Sequence, residues 1–241
     1  MEFESTRRNP PTMTSEAHTT VLRWPQHCQT RDGVEYHIRP IRADDAERDC
    51  LFIKHLSDTS RYNRMMGASH EPSPDLLNRL VHVDYRRDMA LVAVVGKAPD
   101  ETIIGVARYA AVPLSGGPAI LQPHKALQHL PPHRLSERFC SDSRTSGIPA
   151  HCEFAIAVAD EWQSRGVGFM LARLLFSYAR AHGVQRLSAL IFANNVRMLR
   201  LAERLQMTLR RSADDDSVVE AELEVLHSRY RLRSRAASQS P

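Results

Sequence analysis

Apolar positions in the first half of the chain predict a strand, a helix and a hairpin, in that order. Residues 36–41 alternate between apolar and polar side chains, which is typical of a half-buried strand. An acidic segment at 43–45 precedes a helical pattern that carries Leu51, Ile53 and Leu56. Ser73 and Pro74 indicate the start of a further helix, as its N-cap and first residue. The apolar runs 89–95 and 102–111, separated by a short turn, predict a β-hairpin.

The second half predicts a strand, a helix, a strand, a helix and two final strands. Residues 152–159 form a nearly continuous apolar strand with one acid, Glu153. The segment 163–168 then begins a helix that runs to about His182 and is stopped by Gly183. A strand over 187–192 leads to a helix capped by Asn194 and Asn195. Strands over 207–210 and 218–226 complete the series.

Residues 113–150 interrupt this pattern. They include six prolines and few apolar residues outside 119–130. Connections inside a compact domain usually run about 4–6 residues, so the segment is either an ordered flap or a mobile insertion, and its composition favours the mobile insertion. His124, His129 and His133 share no helix face, and no cysteine or acid completes a site. We therefore predict no metal.

Both ends of the chain differ from the middle. Residues 1–33 are polar and lack sustained periodicity, which predicts a disordered N-terminal tail. Residues 228–241 carry Arg229, Arg231, Arg233 and Arg235 and are expected to form a solvated basic C-terminal tail. A domain over 34–227, which contains the insertion, lies between these tails.

Composition excludes several classes of protein. The chain has 241 residues, 42% hydrophobic and 25% charged, with a net charge of +4, which suits one globular domain with tails. No run of about 18 apolar residues predicts a membrane span, and the N-terminus lacks a secretory h-region. The four cysteines form no CxxC pair. We expect a cytoplasmic protein with neither membrane nor nucleic-acid partners.

The segment from Gln163 to Gly168 carries the clearest chemical signal. A strand leads directly into a turn with two glycines and then into a helix, whose first turn has unpaired N–H groups and a positive dipole end. Gly166 and Gly168 allow close approach to that backbone, so the segment suits a pyrophosphate. It is neither a P-loop nor a Rossmann fingerprint. A glycine turn that only permits tight helix–strand packing is the alternative.

Sequence 153–171 resembles the acetyl-CoA-binding motif of the GNAT N-acetyltransferase superfamily, Gln/Arg-x-x-Gly-x-Gly/Ala after a strand. Asn195-x-x-Met198 with Leu201-Ala202 is similar to the family's second conserved helix, and 38–45 resembles its first strand and helix start. Ser57-x-x-Ser60-Arg61-Tyr62 and Asp84-Tyr85 with 89–93 resemble the acetyltransferase domain of Pat-type bacterial protein lysine acetyltransferases. The implied fold is α/β (α+β): a mixed, mostly antiparallel central sheet flanked by helices and splayed between its fourth and fifth strands.

The resemblance also implies a site and a reaction. Acetyl-CoA would be the cosubstrate and Glu153 the general base for direct attack by an amine. Ala202 stands where many superfamily members carry a tyrosine general acid. The residues that would hold acetyl-CoA are Ile156, Ala157, Val158, Gln163, Ser164, Arg165, Gly166, Val167, Gly168 and Asn195. For Asn195, a simple helix cap is an equal alternative.

The expected activity is an acetyl-CoA-dependent N-acetyltransferase, an acyltransferase acting on a primary amine. A protein lysine is the favoured acceptor, and a small-molecule amine is the alternative. A non-catalytic acetyl-CoA-binding regulator is a third hypothesis, against which the presence of Glu153 argues.

Overall fold

The computed structural model describes residues 23–64, 80–83, 85, 87–111, 150–213 and 215–225. The strands in these ranges are β1 (Gln26–Gln29), β2 (Glu35–Pro40), β3 (Met89–Val95), β4 (Thr102–Ala111), β5 (His151–Val158), β6 (Arg186–Phe192), β7 (Thr208–Arg211) and β8 (Val218–Glu224). The helices are α1 (Ala46–His55), α2 (Asp58–Arg64), α3 (Val167–Ala181) and α4 (Val196–Arg204), with short 3₁₀ turns at Ala43–Asp45 and Asp160–Trp162. None of the helices in these ranges is long and apolar enough to cross a membrane.

The strands form one sheet in the order β1-β2-β3-β4-β5-β6-β8-β7. Every neighbouring pair is antiparallel except β5 and β6, which run parallel. That parallel pair joins only His151–Glu153 of β5 to 186–188 of β6, and past these residues the two strands diverge. The predicted mixed, mostly antiparallel and splayed sheet is confirmed.

Strand β1 corrects the prediction that residues 1–33 form a disordered tail. Gln26–Gln29 pairs with β2, and Cys28 and Trp24 pack against the core. The strand was missed because its sequence, Gln-His-Cys-Gln, carries no large apolar residue. It is an edge strand, stabilised by its ladder with β2. With β1 counted, the splay falls between the fifth and sixth strands.

Two apolar layers cover the sheet. On one face, Leu171, Leu174 and Leu175 of α3 are buried against β3, β4 and β5. On the other face, α1 contributes Phe52, Ile53 and Leu56 to a second cluster, with partners on β3 and β4. Each such buried side chain contributes about 1.5–3 kcal/mol. The two layers fix the strand orientation on which the cleft depends.

Salt bridges from Arg39 anchor the start of α1 to the sheet. Arg39 of β2 donates from both terminal nitrogens to the Asp45 carboxylate, over 2.6 and 2.8 Å. Its second terminal nitrogen also donates to Glu101, the residue just before β4, over 2.6 Å. The Asp45 carboxylate accepts from the Arg42 backbone N–H as well. A buried carboxylate needs such partners, so Arg39 fixes where the helical segment starts.

Other predicted elements are confirmed where the structure describes them. The hairpin forms β3 and β4, and the strand bearing Glu153 forms β5. Asn195 caps α4, since its side-chain oxygen accepts from the Met198 N–H over 3.2 Å. Of the helix predicted from Ser73, only Leu80 and Val81 are described, and both are helical and buried. The insertion up to residue 149, its histidines, Asp84 and the C-terminal tail lie outside the described residues.

Candidate active site

A cleft of about 840 Å³ opens where β5 and β6 separate. Residues of β5 from Glu153 to Val158 form one wall, and residues of β6 from Ala189 to Phe192 form the opposite wall. Helix α2, the turn before α3 and the start of α4 complete the lining. The cleft therefore exists because the parallel pairing of β5 and β6 stops at Glu153.

The turn before α3 presents a row of unpaired amides at one end of the cleft. Ser164 and Gly166 have positive φ values of 63° and 100°, and Gly166 is the N-cap of α3. Within the described part of the chain, the N–H groups of residues 164–168 donate to no backbone or side-chain acceptor. Unpaired N–H groups at the positive end of a fifteen-residue helix fit an anion such as a pyrophosphate.

The two glycines of this turn, Gly166 and Gly168, are under different structural constraints. Gly166 adopts the left-handed conformation, which disfavours any residue with a Cβ, although a Cβ there would meet only Arg31 Cγ, at 3.9 Å. Gly168 has no such constraint. A Cβ there would lie 3.4 Å from a Val158 methyl and 3.7 Å from a Leu201 methyl, which is ordinary packing. Gly166 is thus required by the shape of the turn, and no close contact crowds its Cβ position.

The edge of β5 that faces the cleft carries unpaired backbone groups. Residues 154–158 pair with β4 on one side, but beyond Glu153 no strand among the described residues pairs with them on the other. An extended ligand that carries amides could add to this edge as a further strand would. The Gln163 side chain already uses one such group, donating to the Val158 carbonyl over 3.0 Å. The edge therefore fits the pantetheine arm of a coenzyme A thioester.

Glu153 lies where the two strands part and lines the cleft. Burial raises the pKa of its carboxyl group, and the positive charge of Arg64 opposes this, so that the pKa is about 7. The side chain is only partly exposed at the surface. A carboxyl group with this pKa exists in both protonation states near neutrality, which suits a general base.

Most of the predicted acetyl-CoA residues line this cleft, and two side chains do not. Ile156, Ala157, Val158, Gln163, Ser164, Gly166, Gly168 and Asn195 are in its lining. The Arg165 guanidinium instead pairs with Asp32 over 3.0 Å. The Val167 side chain is fully buried in the core. Only backbone groups of these two residues remain available to a ligand.

Helix α2 is joined to the turn by a network that the sequence reasoning did not assign. Asp160, just after β5, accepts from the Ser57 N–H and hydroxyl, both over 2.8 Å, and from the Ser60 hydroxyl over 2.7 Å. Gln163 donates to the same Ser60 oxygen over 3.1 Å and accepts from Arg197 of α4 over 2.6 Å. The sequence signal for this network was the three-residue spacing of Ser57 and Ser60, which places both on one side of a helical turn.

Five arginines in the cleft lining were also missed: Arg31, Arg64, Arg197, Arg200 and Arg204. Arg31 belongs to the β1–β2 turn, and its backbone N–H donates to the Arg165 carbonyl over 3.0 Å. Its role could not be read from the sequence, because β1 itself was not predicted. Arg197, Arg200 and Arg204 recur at three- and four-residue spacing, which places them along one side of α4. Their charge adds to the attraction for an anionic ligand.

An aromatic pair connects α2 to β6 beside the cleft. The rings of Tyr62 on α2 and Phe192 at the end of β6 stack with centroids 5.1 Å apart. Phe192 lines the cleft, and Tyr62 is an exposed side chain packed against it. Within the described residues, no group of three or more potential metal ligands occurs.

Comparison with known proteins agrees with this arrangement. The family model described as the acetyltransferase (GNAT) family matches residues 59–207, more than half of the chain. The chain belongs to this family and is an acyltransferase. The family uses acetyl-CoA as its cosubstrate, so the cleft, the amide row and the open strand edge acquire a common ligand.

Individual relatives extend the comparison. The chain is 30% identical to the acetyltransferase PA5475 of Pseudomonas aeruginosa over 188 residues, covering 78% of this chain and 83% of that protein. It is 26% identical to the acetyltransferase Pat of Mycolicibacterium smegmatis over 83% of this chain, and spans about half (49%) of that longer protein. Among solved structures, the GNAT domain of S. lividans PAT aligns with a TM-score of 0.65 and 26% identity, over 83% of this chain and 97% of that one.

Proposed function

We propose that this chain transfers the acetyl group of acetyl-CoA to a primary amine on a protein lysine, with Glu153 as the general base. The observation that carries the proposal is the arrangement along one strand. An acid with a pKa of about 7 begins the open stretch of β5, and a row of unpaired amides follows its end. Five residues of strand, about 17 Å, separate Glu153 from Val158.

The amides of residues 164–168 would bind the pyrophosphate, and Gly166 would let it approach closely. On the open edge of β5, backbone groups of Ile156 and Val158 would pair with the amides of the pantetheine arm, and Ala157, whose own N–H and C=O face β4, would line the arm. A backbone N–H of the same edge would stabilise the oxyanion that forms on the thioester carbonyl. Asn195, which already caps α4, would line the cleft beside this arm.

The proton balance assigns Glu153 its role. A lysine ammonium has a reference pKa of about 10.4 and must lose a proton before it can attack. Glu153 would take that proton directly or through a water molecule. The amine nitrogen then bonds to the thioester carbonyl carbon and the carbon–sulfur bond breaks. The nitrogen loses its second proton as it becomes an amide, and this proton balances the one that the leaving thiolate takes up. The products are an amide and free coenzyme A.

The acceptor is proposed from the resemblance of Ser57-x-x-Ser60-Arg61-Tyr62 to Pat-type lysine acetyltransferases. The overall alignment with the GNAT domain of S. lividans PAT supports this assignment. The Tyr62–Phe192 pair would flank the path by which an aliphatic side chain reaches Glu153.

Acetyl-CoA binding at the turn is tested by Gly166→Glu, with Gly33→Glu as a matched control. Both glycines have positive φ and no atom closer than 3.9 Å to the Cβ position, but Gly33 does not line the cleft. Both variants bear the same backbone strain and charge, and only Gly166→Glu should lose affinity in calorimetric titration with acetyl-CoA. Equal affinity of the two variants would remove this turn from the binding site.

The acceptor is tested by supplying acetyl-CoA with lysine-containing proteins in one series and small amines in another. Release of coenzyme A is measured for each, and mass spectrometry locates any acetylated lysines. Efficient labelling of protein lysines supports the proposal. Turnover confined to small amines rejects the protein acceptor, and acetyl-CoA binding without turnover on any acceptor favours a regulator.

A further inference from the structure

Three charged side chains from three other elements lie near the proposed base, Glu153 on β5. They are Asp49 on α1, Arg64 on α2 and Arg108 on β4. Asp49, Arg64 and Arg108 are almost fully buried, with exposed fractions of 3%, 7% and 4%. Burying a single charge is costly unless other charges or hydrogen bonds compensate it, so such a group calls for a reason.

Strand register brings Arg108 to the same face as Glu153. Glu153 is opposite Ala110 in the antiparallel β4–β5 pair, and Arg108 is opposite Ala155. Side chains two positions apart share a face, so Arg108 and Glu153 are diagonal neighbours at about 7–8 Å. The Arg108 guanidinium donates to the Leu80 carbonyl over 3.3 Å, which holds it in the interior.

Helix periodicity brings Asp49 to the same place. Asp49 shares the inward stripe of α1 with Phe52, Ile53 and Leu56, and α1 packs against β4. Burial raises the pKa of Asp49, while the charges of Arg64 and Arg108 oppose that rise. The carboxyl group therefore lies among apolar side chains and faces the two arginines.

Arg64 connects this group to the cleft. It ends α2, which packs against β5, and it is in the cleft lining together with Glu153. Its Nη1 atom is buried and has no hydrogen-bond partner in the described part of the chain. Burial lowers the pKa of Arg64, and the negative charges of Asp49 and Glu153 oppose this. The two carboxylates are thus the charges that keep Arg64 ionised.

The charge balance points to the state of Glu153. The three most buried groups, Asp49, Arg64 and Arg108, carry one negative and two positive charges, which leaves one positive charge uncompensated. Ionised Glu153 balances it. Asp88, which is partly exposed, offsets part of the charge of Arg108 but not that of Arg64, whose neighbouring carboxylates are Asp49 and Glu153. His151, on β5, is neutral at working pH because burial lowers its pKa to about 4.

We infer that Asp49, Arg64 and Arg108 form a buried charge cluster in which Arg64 is the positioning residue that holds Glu153 ionised and base-competent, with Asp49 as its counter-charge. The inference rests on the proposed role of Glu153 as the base. It makes a signed claim: removing a positive charge and removing a negative charge from the cluster must displace the ionisation of Glu153 in opposite directions.

The experiment follows the Glu153 carboxyl group directly in the full chain. Protein labelled with ¹³C at glutamate carboxyl carbons is titrated by NMR, and the Glu153 signal is assigned by its absence in Glu153→Gln. The variants are Arg64→Met and Asp49→Asn, with Arg64→Lys as the charge-conserving variant. Arg61→Met is the matched control, because Arg61 lies one turn earlier on α2 and pairs with Asp58.

In Arg64→Met the midpoint of the Glu153 titration should rise by about 1 pH unit or more, because an opposite charge near Glu153 is lost. In Asp49→Asn it should fall, and in Arg64→Lys and Arg61→Met it should stay near that of the wild type. The acid limb of kcat/KM should move with each midpoint. If Arg64→Met does not fold, the downward displacement in Asp49→Asn still decides the matter.

Unchanged midpoints in Arg64→Met and Asp49→Asn, or displacements of the same sign, overturn the cluster. One further result would distinguish failure of the proposed base from failure of the charge cluster. NMR midpoints that move as expected, without any movement of the acid limb, retain the cluster and reject Glu153 as the base.

Discussion

At the scale of single residues, the Glu153 carboxyl group combines access to the cleft with a pKa of about 7. The sequence could predict its candidacy, because it is the one acid on an apolar strand that precedes a glycine turn. It could not predict the pKa, which depends on burial and on Arg64, 89 positions away in the chain. Arg165 shows the same limit: its charge suggested a phosphate ligand, yet its side chain pairs with Asp32.

The raised pKa of Glu153 predicts a pH-dependent cost to folding. The pKa in the folded protein is above the unfolded value, so ionisation destabilises the fold, increasingly as pH rises from about 4.5 to about 7. Glu153→Gln removes this cost and should be roughly 2–3 kcal/mol more stable relative to wild type above pH ~8 than at pH ~4.5. Urea unfolding of both proteins at the two pH values measures the difference. A constant difference would contradict a strongly raised pKa.

At the scale of elements, Asp160 joins helix α2 to the turn that precedes α3. Burial alone would raise the pKa of Asp160, but hydrogen bonds from Ser57 and Ser60 outweigh it, and the net pKa is lowered. The network therefore holds at neutral pH and weakens only in acid. Periodicity predicted most helices and strands within a few residues, since each carries its own pattern. Contacts such as Ser60–Asp160 span 100 positions and leave no such local pattern.

Breaking this connection should weaken acetyl-CoA binding. Asp160→Ala removes the acceptor shared by Ser57 and Ser60, and with it one partner of the Gln163 side chain, at 3.4 Å. We expect a loss of about 1 kcal/mol in binding, roughly fivefold in Kd, because the hydrogen bonds are charge-assisted but exposed. Calorimetric titration measures it, with Glu161→Ala as the control, since Glu161 is the neighbouring exposed acid. Equal affinities for the two variants would show that the connection does not shape the turn.

At the scale of the whole molecule, the sheet brings distant segments to one cleft. Its eight described strands follow chain order from β1 to β6, but β8 then inserts between β6 and β7. Local patterns predicted seven of these strands. The splay and the mixed sheet came from the family resemblance, because pairing partners and strand divergence depend on contacts far apart in sequence. Strand β1 escaped prediction since its polar residues fit an edge and a tail equally well.

The N-terminal hairpin should be part of the functional domain. Deleting residues 1–33 removes β1, the Arg31 N–H bond to Arg165 and the Asp32–Arg165 pair. We expect the melting temperature to fall by at least about 2–4 °C and acetyl-CoA affinity to drop. Deleting residues 1–22 keeps every one of these contacts and serves as the control. If the two deletion variants have the same stability and the same affinity, residues 23–33 are not part of the functional domain.

The central claim is that Glu153 accepts the proton of the acceptor amine. The most direct measurement is the pH dependence of kcat/KM for coenzyme A release, with an acetylated lysine-bearing protein as product, in wild type and Glu153→Gln. Wild type should show an acid limb with a midpoint near 7, and the variant should bind acetyl-CoA normally but turn over about 10²–10⁴-fold more slowly at neutral pH. The gap should narrow as pH rises toward the amine's own pKa, about 10.4. A variant that retains wild-type turnover and the same acid limb would contradict the account.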